Sequence, residues 1–433
     1  MIIQPRLALF AALLSPAVFL LRGRPWFALL LIAAVVLLVW VVDWLLTVSP
    51  NKIEVTRQVP SSITLDRSGS VSWLVTNTAD RSASIQFAEA LAPSLMAEVR
   101  RAEVQLPGLR SATVETDLSP TRRGRFELGE LVVRVDGPLG FAGRQQTRWE
   151  PGELRIFPRF PSRAEAELRL KRSRLDMGLR SARMRGGGSE FEQLRDFTVD
   201  DEFRKVDWAA TARANRMIVR TYRTERNQTV INVMDNGRLM ASQVGGVPRV
   251  EHAMDAIMAL TTVATGLGDR TGLLVFDGEV RKTVTASARS TQLSRITNAM
   301  FDIEPVLAES DYHGAFTETL LRFNRRTMLI IHTELVEQTL NEFLLPALPL
   351  LTRSHVVVLA SVRDPEVDRW ATAVPTTAEE THRHAAARAS LLERQRTIRE
   401  LRRHGAAVID AVPGKLSARL MDHYLDVKSR GQL

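Results

Sequence analysis

The sequence predicts a multidomain chain: an N-terminal transmembrane helical hairpin, a small β-sandwich, and a doubly wound α/β domain. Three patterns carry this reading. Two apolar runs fill residues 1–50. Short alternating runs broken by turn signals occupy residues 51–160. After a linking segment at 161–227, strands and helices alternate strictly over 228–433. With 433 residues, 45% hydrophobic and 25% charged, the chain is long enough for two or three separate cores.

The apolar runs come first. Residues 7–21 carry no charge and are broken only by Ser15 and Pro16, and residues 26–48 carry one charge, Asp43. The second run reaches about 34 Å as a helix, enough for a hydrocarbon core of about 30 Å, and the first about 22 Å. Arg22, Gly23, Arg24 and Pro25 leave room only for a tight hairpin between them. A cleaved signal peptide fits poorly, because Ser15-Pro16-Ala17-Val18-Phe19 is a poor cleavage site. Trp26, Trp40 and Trp44 sit near the ends of the second run, where amphipathic rings favour the headgroup layer. Asp43 is near enough to a helix end to be expected at the water interface. Arg6, the α-amino group, Lys52 and Arg57 compete with Arg22 and Arg24, and the count favours both ends in the cytoplasm. The expected location is therefore the inner membrane, multi-pass, with the soluble domains cytoplasmic.

Composition removes several classes. The chain has no cysteine, which excludes cysteine nucleophiles, thiolate zinc sites and disulfides. The formal charge of +9 is spread along the sequence and concentrates only at 171–185, while aromatic residues total 6%. That leaves no aromatic-interleaved basic platform, so nucleic acid is not an expected partner.

In the middle region Val71, Trp73 and Val75 alternate with polar neighbours up to Asn77-Thr78-Ala79-Asp80. Similar runs at 84–87, 112–115, 131–135 and 154–157 are separated by Pro107-Gly108, Arg123-Gly124, Asp136-Gly137-Pro138 and Pro151-Gly152. Many short strands without a helical period predict a sandwich, whose work is spacing and contact.

Beyond Asn227, strands are expected at 229–234, 272–276, 327–332, 355–360 and 406–411, with a further edge strand at 279–285. Helices are expected around 253–260, 291–301, 316–324, 336–351, 377–404 and 415–428. Such alternation implies right-handed crossovers and a mostly parallel sheet covered on both faces. Ligands on such sheets sit at the carboxyl ends of strands, which here present Asp235, Asp277, Glu334 and Asp364.

Catalytic motifs are missing. There is no Gly-x-Ser-x-Gly elbow and no His-Glu-x-x-His helix. Gly186, Gly187 and Gly188 lack a following Gly-Lys-Ser/Thr, so they read as a flexible turn. His382 and His384, beside Arg383 and Arg388, read as a solvated helix face. An enzyme is not expected.

A family resemblance enters at the linking segment. Gly187-Gly188-Ser189-Glu190-Phe191 is followed by Leu194-Arg195-Asp196-Phe197, Asp200-Asp201, Arg204, Val206-Asp207-Trp208 and Thr211-Ala212-Arg213. With Arg122-Arg123-Gly124-Arg125-Phe126-Glu127-Leu128-Gly129, Gly137-Pro138-Leu139-Gly140-Phe141 and a Tyr424-Leu425 tail, this resembles the bacterial domain-of-unknown-function family 58. Val199 and Asp200 depart from that pattern, where the family tends to have Pro-Gly. The resemblance implies a von Willebrand factor type A-like (Rossmann-like) domain and operation beside a MoxR-type AAA+ ATPase. It also implies a divalent-metal adhesion site built from Asp-x-Ser-x-Ser, a Thr from a second loop and an Asp from a third. This chain keeps Asp235 but has Gly237 and Leu239 at the serine positions, Thr333-Glu334 at the third loop, and no obvious Thr in Ser310-Asp311-Tyr312-His313. Mg²⁺ needs oxygen ligands in near-ideal octahedral geometry, so no metal cofactor is expected and Asp235 is expected to cap a turn.

The signature residues Glu190, Phe191, Arg195, Asp196, Asp200, Asp201, Arg204, Asp207, Trp208 and Arg213 allow two readings. One is an ion-pair network pinning the segment to the α/β domain, with Trp208 as its buried anchor. The other is a docking surface for a partner. The expected function is a non-enzymatic, membrane-tethered adaptor that docks a MoxR-type AAA+ ATPase in a chaperone-like or envelope-related system. The alternative is a metal-dependent adhesion or sensing domain using the degenerate ligands Asp235 and Glu334.

Overall fold

The computed structural model describes residues 2–16, 25–65, 67–183, 190–199, 201, 203–223, 228–337 and 340–431, and the glycine turn expected at 186–188 lies outside them. The chain divides into two compact units, Met1–Phe157 and Pro158–Leu433.

The first unit begins with strand β1 (Ile2–Ile3), helix α1 (Pro5–Leu14) and helix α2 (Pro25–Leu46). One helical stretch, Trp26–Lys52, is long and apolar enough to cross a membrane among the described residues, and α1 is a shorter apolar helix. Eight strands follow: β2 (Ile53–Gln58), β3 (Ser62–Thr64), β4 (Gly69–Asn77), β5 (Ala83–Glu89), β6 (Arg101–Leu106), β7 (Ser111–Leu118), β8 (Gly124–Asp136) and β9 (Ala142–Phe157). They form a sheet of order β1-β9-β8-β5-β6, with β3 against β9, and a second sheet of order β2-β4-β7. The period-2 pattern decides the packing: Val71, Trp73 and Val75 point inward from β4, and Ile85, Val133, Leu154 and Ile156 meet them from the other sheet. The Trp73 indole, buried with an N–H to satisfy, donates to Glu89 at 2.5 Å, and Arg57 pairs with the same carboxylate.

Asp43 overturns the interfacial expectation. It is fully buried, and its carboxylate accepts the backbone N–H of Leu139 at 2.8 Å and those of Phe141 and Ala142 at 2.7 Å each. The β8–β9 turn is shaped for this contact. A Cβ on Gly137 would stand 2.5 Å from the carboxylate, and Gly140 has φ 73. The Gly137-Pro138-Leu139-Gly140-Phe141 motif is thus a cradle for a helix-borne anion. Hydropathy reports the helix but not a turn that meets it from 96 residues away.

The second unit opens with helix α3 (Arg163–Arg183), so the segment expected as a linker holds regular structure. Next come β10 (Glu190–Asp196), α4 (Trp208–Ala214), β11 (Ile218–Arg223), β12 (Thr229–Asp235), α5 (Arg238–Ala241), β13 (Gln243–Val244), β14 (Val247–Pro248), α6 (Arg249–Gly266), β15 (Arg270–Phe276), β16 (Val280–Ser287), α7 (Gln292–Met300), α8 (Tyr312–Arg322) and β17 (Met328–His332). A π-helical turn at Leu340–Leu344 leads into α9 (Leu345–Thr352), followed by β18 (Val356–Val362), α10 (Pro365–Thr372), α11 (Ala378–Arg403), β19 (Ala407–Ala411) and α12 (Leu416–Ser429).

The main sheet runs β16-β15-β12-β17-β18-β19. All its pairs are parallel except β15–β16, because β16 returns directly from β15 as an edge strand. Buried side chains on one face pack with α8, α9 and α11, and those on the other with α6, α7 and α12. The near-continuous burial of β12, β15, β17 and β18 is what a sheet covered on both faces demands.

Candidate functional site

After β12 the chain moves to β15 on one side and later to β17 on the other. The carboxyl ends of β12 and β17 therefore flank a switch point, the place where ligands bind on open α/β sheets. Asp235 closes β12, and Thr333 and Glu334 follow β17.

Asp235 is fully buried and takes four hydrogen bonds. Its Oδ1 accepts the Gly237 N–H at 2.9 Å and the Ser310 hydroxyl at 2.5 Å. Its Oδ2 accepts the Tyr312 phenol at 2.7 Å and the Thr333 hydroxyl at 2.7 Å. The loop that shows no obvious Thr in the sequence thus supplies Ser310 and Tyr312, and Thr333 enters from the third loop. Gly237 makes room, since a Cβ there would overlap Ser310 Oγ. Burial first, and the adjacent Asp235 charge second, push the Tyr312 phenol well above its ordinary range, so it stays protonated as a donor.

A carboxylate has about four lone-pair positions, and the four donors fill them. A hard cation would have to displace these donors, so this arrangement does not fit the metal that the resemblance implies. Glu334 does not complete a site either. Its Oε2 accepts from Arg249 at 2.8 Å and from Ser361 at 3.0 Å, and its Oε1 from Arg394 at 2.5 Å. Arg394 also grips Asp410 through two bonds of 3.1 and 2.8 Å.

The two remaining strand-end acids are also engaged. Asp277, almost fully buried, pairs with Arg281 at 2.8 Å. Asp364 caps α10 by accepting the Glu366 N–H at 2.9 Å. Among the described residues no group of three His, Asp or Glu side chains converges.

The signature residues form a separate small module. β10 and β11 pair antiparallel, and α4 lies between them in sequence. Arg195 bonds both oxygens of Asp201 at 2.7 and 2.5 Å, and Thr198 donates its N–H and hydroxyl to Asp201 at 2.8 Å each. The Arg195 guanidinium holds the Asp201 carboxyl well below the usual carboxylate range. Asp207 caps α4 at the Ala210 N–H and takes Arg220 at 2.7 Å, while Asp196 pairs with Arg216 at 3.1 Å. These pairs close inside the module. Arg204 is exposed, and Arg213 reaches back to the Ala209 carbonyl at 3.2 Å. The placement of Asp200 and the side chains of Glu190 and Phe191 lie outside the described residues.

Trp208 is not the buried anchor that the first of the two readings requires. It is 66% exposed, with Phe203 at 67% and Val199 at 98%. The reason is local: Asp207 fixes the start of α4, and the small face of that helix, Ala210, turns inward instead.

The family model described as "Protein of unknown function DUF58" matches residues 193–401. No curated protein matches the chain. Among solved structures, the chain is similar to the conserved hypothetical protein BatB from Bacteroides thetaiotaomicron, at 13% identity and a TM-score of 0.33 over 47% of this chain and 100% of that one. It is also similar to an aerotolerance-related membrane protein from Bacteroides fragilis with multiple mutations to serines, at 15% identity and a TM-score of 0.31 over 46% of this chain and 99% of that one.

Proposed function

The chain belongs to the DUF58 family, and from that premise we propose that it is a non-enzymatic, membrane-tethered adaptor whose α/β unit docks a protein partner. The observation that carries the reading is Trp208. The signature module pairs its charges internally yet leaves Trp208 and Phe203 about two-thirds exposed. Large aromatic surface left in water is favourable to cover, and tryptophan is among the residues enriched at the energetic centres of interfaces.

Two further features support docking over catalysis. The strand-end acids Asp235, Asp277, Glu334 and Asp364 are each engaged by a hydroxyl, guanidinium or backbone donor. The strand order and the position of Asp235 support a von Willebrand type A-like domain whose metal position has been closed by hydroxyls. The tether is the apolar helix, with α1 as the first arm of a hairpin in the inner membrane. The family resemblance supports a MoxR-type AAA+ ATPase as the partner, on the cytoplasmic side where ATP is present.

The test is co-isolation of the full chain with the nucleotide-loaded ATPase. Recovery is expected with the native chain and is expected to fall about tenfold or more in Trp208→Ala. Equal recovery by the two chains would refute this docking surface.

A further inference from the structure

β19 forms the free edge of the six-stranded sheet, flanked in sequence by α11 and α12, which pack on opposite faces. A groove of about 490 Å³ opens beside it, lined by Gln395, Ile398, Arg399, Arg402 and Arg419 and floored by β19. In a parallel pair alternate residues face the neighbouring strand. Ala411 faces β18, its carbonyl accepting the Arg363 N–H at 2.9 Å, so Val408 and Asp410 present their backbone groups to the groove. Their carbonyls are already claimed, Val408 O by Arg402 at 3.5 Å and Asp410 O by Arg419 at 2.9 Å. The N–H groups of the same two residues point away from β18, toward the groove side.

The charge has the same sign as this hydrogen-bond deficit. Among the described residues, Arg399 reaches the Gln395 carbonyl at 3.3 Å, and Arg402 and Arg419 reach the two carbonyls just given, none of them a carboxylate. Elsewhere in the unit Arg169, Arg249, Arg281 and Arg394 each hold a carboxylate. The acid beside the groove, Asp410, is neutralised by Arg394. Charged side chains commonly guard edge strands against aggregation by standing over them. Here the arginines instead cap the acceptors and leave the donors, so the edge repels a neutral strand less than it selects an acidic one.

We infer that this groove binds an acidic, extended segment of a partner protein, whose carbonyls meet the Val408 and Asp410 N–H groups and whose carboxylates meet Arg399, Arg402 and Arg419. This rests on the reading that the α/β unit docks a protein, and it adds a surface distinct from Trp208.

The probe is a labelled peptide alternating glutamate and valine, with a lysine–valine peptide as control, titrated onto the full chain in lipid nanodiscs. The glutamate peptide is expected to bind, to weaken with added salt, and to lose about tenfold or more in affinity when Arg402→Glu and Arg419→Glu are combined. Hydrogen exchange at Val408 and Asp410 is expected to slow on binding. If the double reversal fails to fold, Arg399→Gln with Arg402→Gln provides the same comparison. Equal binding of the lysine peptide, unchanged affinity in the variants, or unaltered exchange at Val408 and Asp410 would overturn the inference. Trp208→Ala is expected to bind the glutamate peptide normally. If the glutamate peptide fails on the native chain while ATPase recovery still depends on Trp208, the groove inference falls and the adaptor reading stands. If the peptide binds but no ATPase is recovered, the groove stands and that partner falls.

Discussion

Asp43 Oδ2 accepts the backbone N–H of Phe141 at 2.7 Å, joining the apolar helix to the turn between the two longest strands of the first unit. A buried carboxylate holding three backbone donors is a charge-assisted set, stronger than neutral hydrogen bonds. The helix is therefore fixed to the β domain by chemistry that hydropathy does not encode.

Replacing this anion tests the joint. Asp43→Asn turns an amide donor toward backbone donors and is expected to cost about 3 kcal/mol, since buried donors lose charged acceptors. Denaturant unfolding of the full chain in detergent micelles measures it. A change within about 0.5 kcal/mol, the range of an ordinary surface substitution, would contradict the joint.

The cage around Asp235 makes a second expectation. Asp235→Asn is expected to destabilise the second unit by about 2 kcal/mol, as the Ser310, Tyr312 and Thr333 hydroxyls lose a charged acceptor. Added Mg²⁺ is expected to leave the Tm of the native chain unchanged. A Mg²⁺-dependent rise in Tm that disappears in the variant would revive the metal-dependent alternative.

Stability should also depend on pH with a defined sign. Burial pushes His332 down to about 3, and burial lowers His355 and His423 as well. The His332 ring faces Asn232 Oδ1 at 3.1 Å through Nε2, and its Nδ1 has no partner among the described residues. The unfolded chain takes up a proton near pH 6.5 that folded His332 refuses until about pH 3. Stability is thus full above about 6.5 and is lost as pH falls through that window, by about 1.4 kcal/mol per pH unit for a single such histidine. Unfolding curves of the native chain and His332→Gln at pH 7.5, 6 and 5 check it, and the variant is expected to have the shallower slope. A native curve that is flat, or steeper in the variant, would contradict the assignment.

Trp208→Ala is expected to change stability by no more than about 0.5 kcal/mol, because the ring is two-thirds exposed. A loss of several kcal/mol in the same unfolding assay would mean that the side chain is packed, and the docking surface would lose its basis.

The parts of the fold that repeat locally were legible in the sequence. Alternation around Val71, Trp73 and Val75 marked a sandwich strand, and the β–α rhythm after Asn227 marked the parallel sheet. Contacts between distant segments were not. Asp235 meets Ser310 and Thr333 across separations of 75 and 98 residues, so the nearby positions Gly237 and Leu239 carry no sign of the hydroxyls that other loops supply. Trp208 misled for another reason: apolar character alone predicts burial, whereas its direction was set by the Asp207 cap and the inward Ala210. Within the helix expected at 336–351, the described residues from Glu337 onward are helical, but the turn at Leu340–Leu344 is π-helical rather than α, which the periodicity of apolar residues does not reveal.

The most direct test of the adaptor account is which side of the membrane the two units face. The chain has no cysteine, so Ser61→Cys and Ser290→Cys, at exposed positions in the first and second unit, report without background. The account predicts that both are shielded from an impermeant thiol reagent in intact cells and labelled once the membrane is opened. Labelling of both in intact cells would place the units outside and contradict docking to a cytoplasmic ATPase.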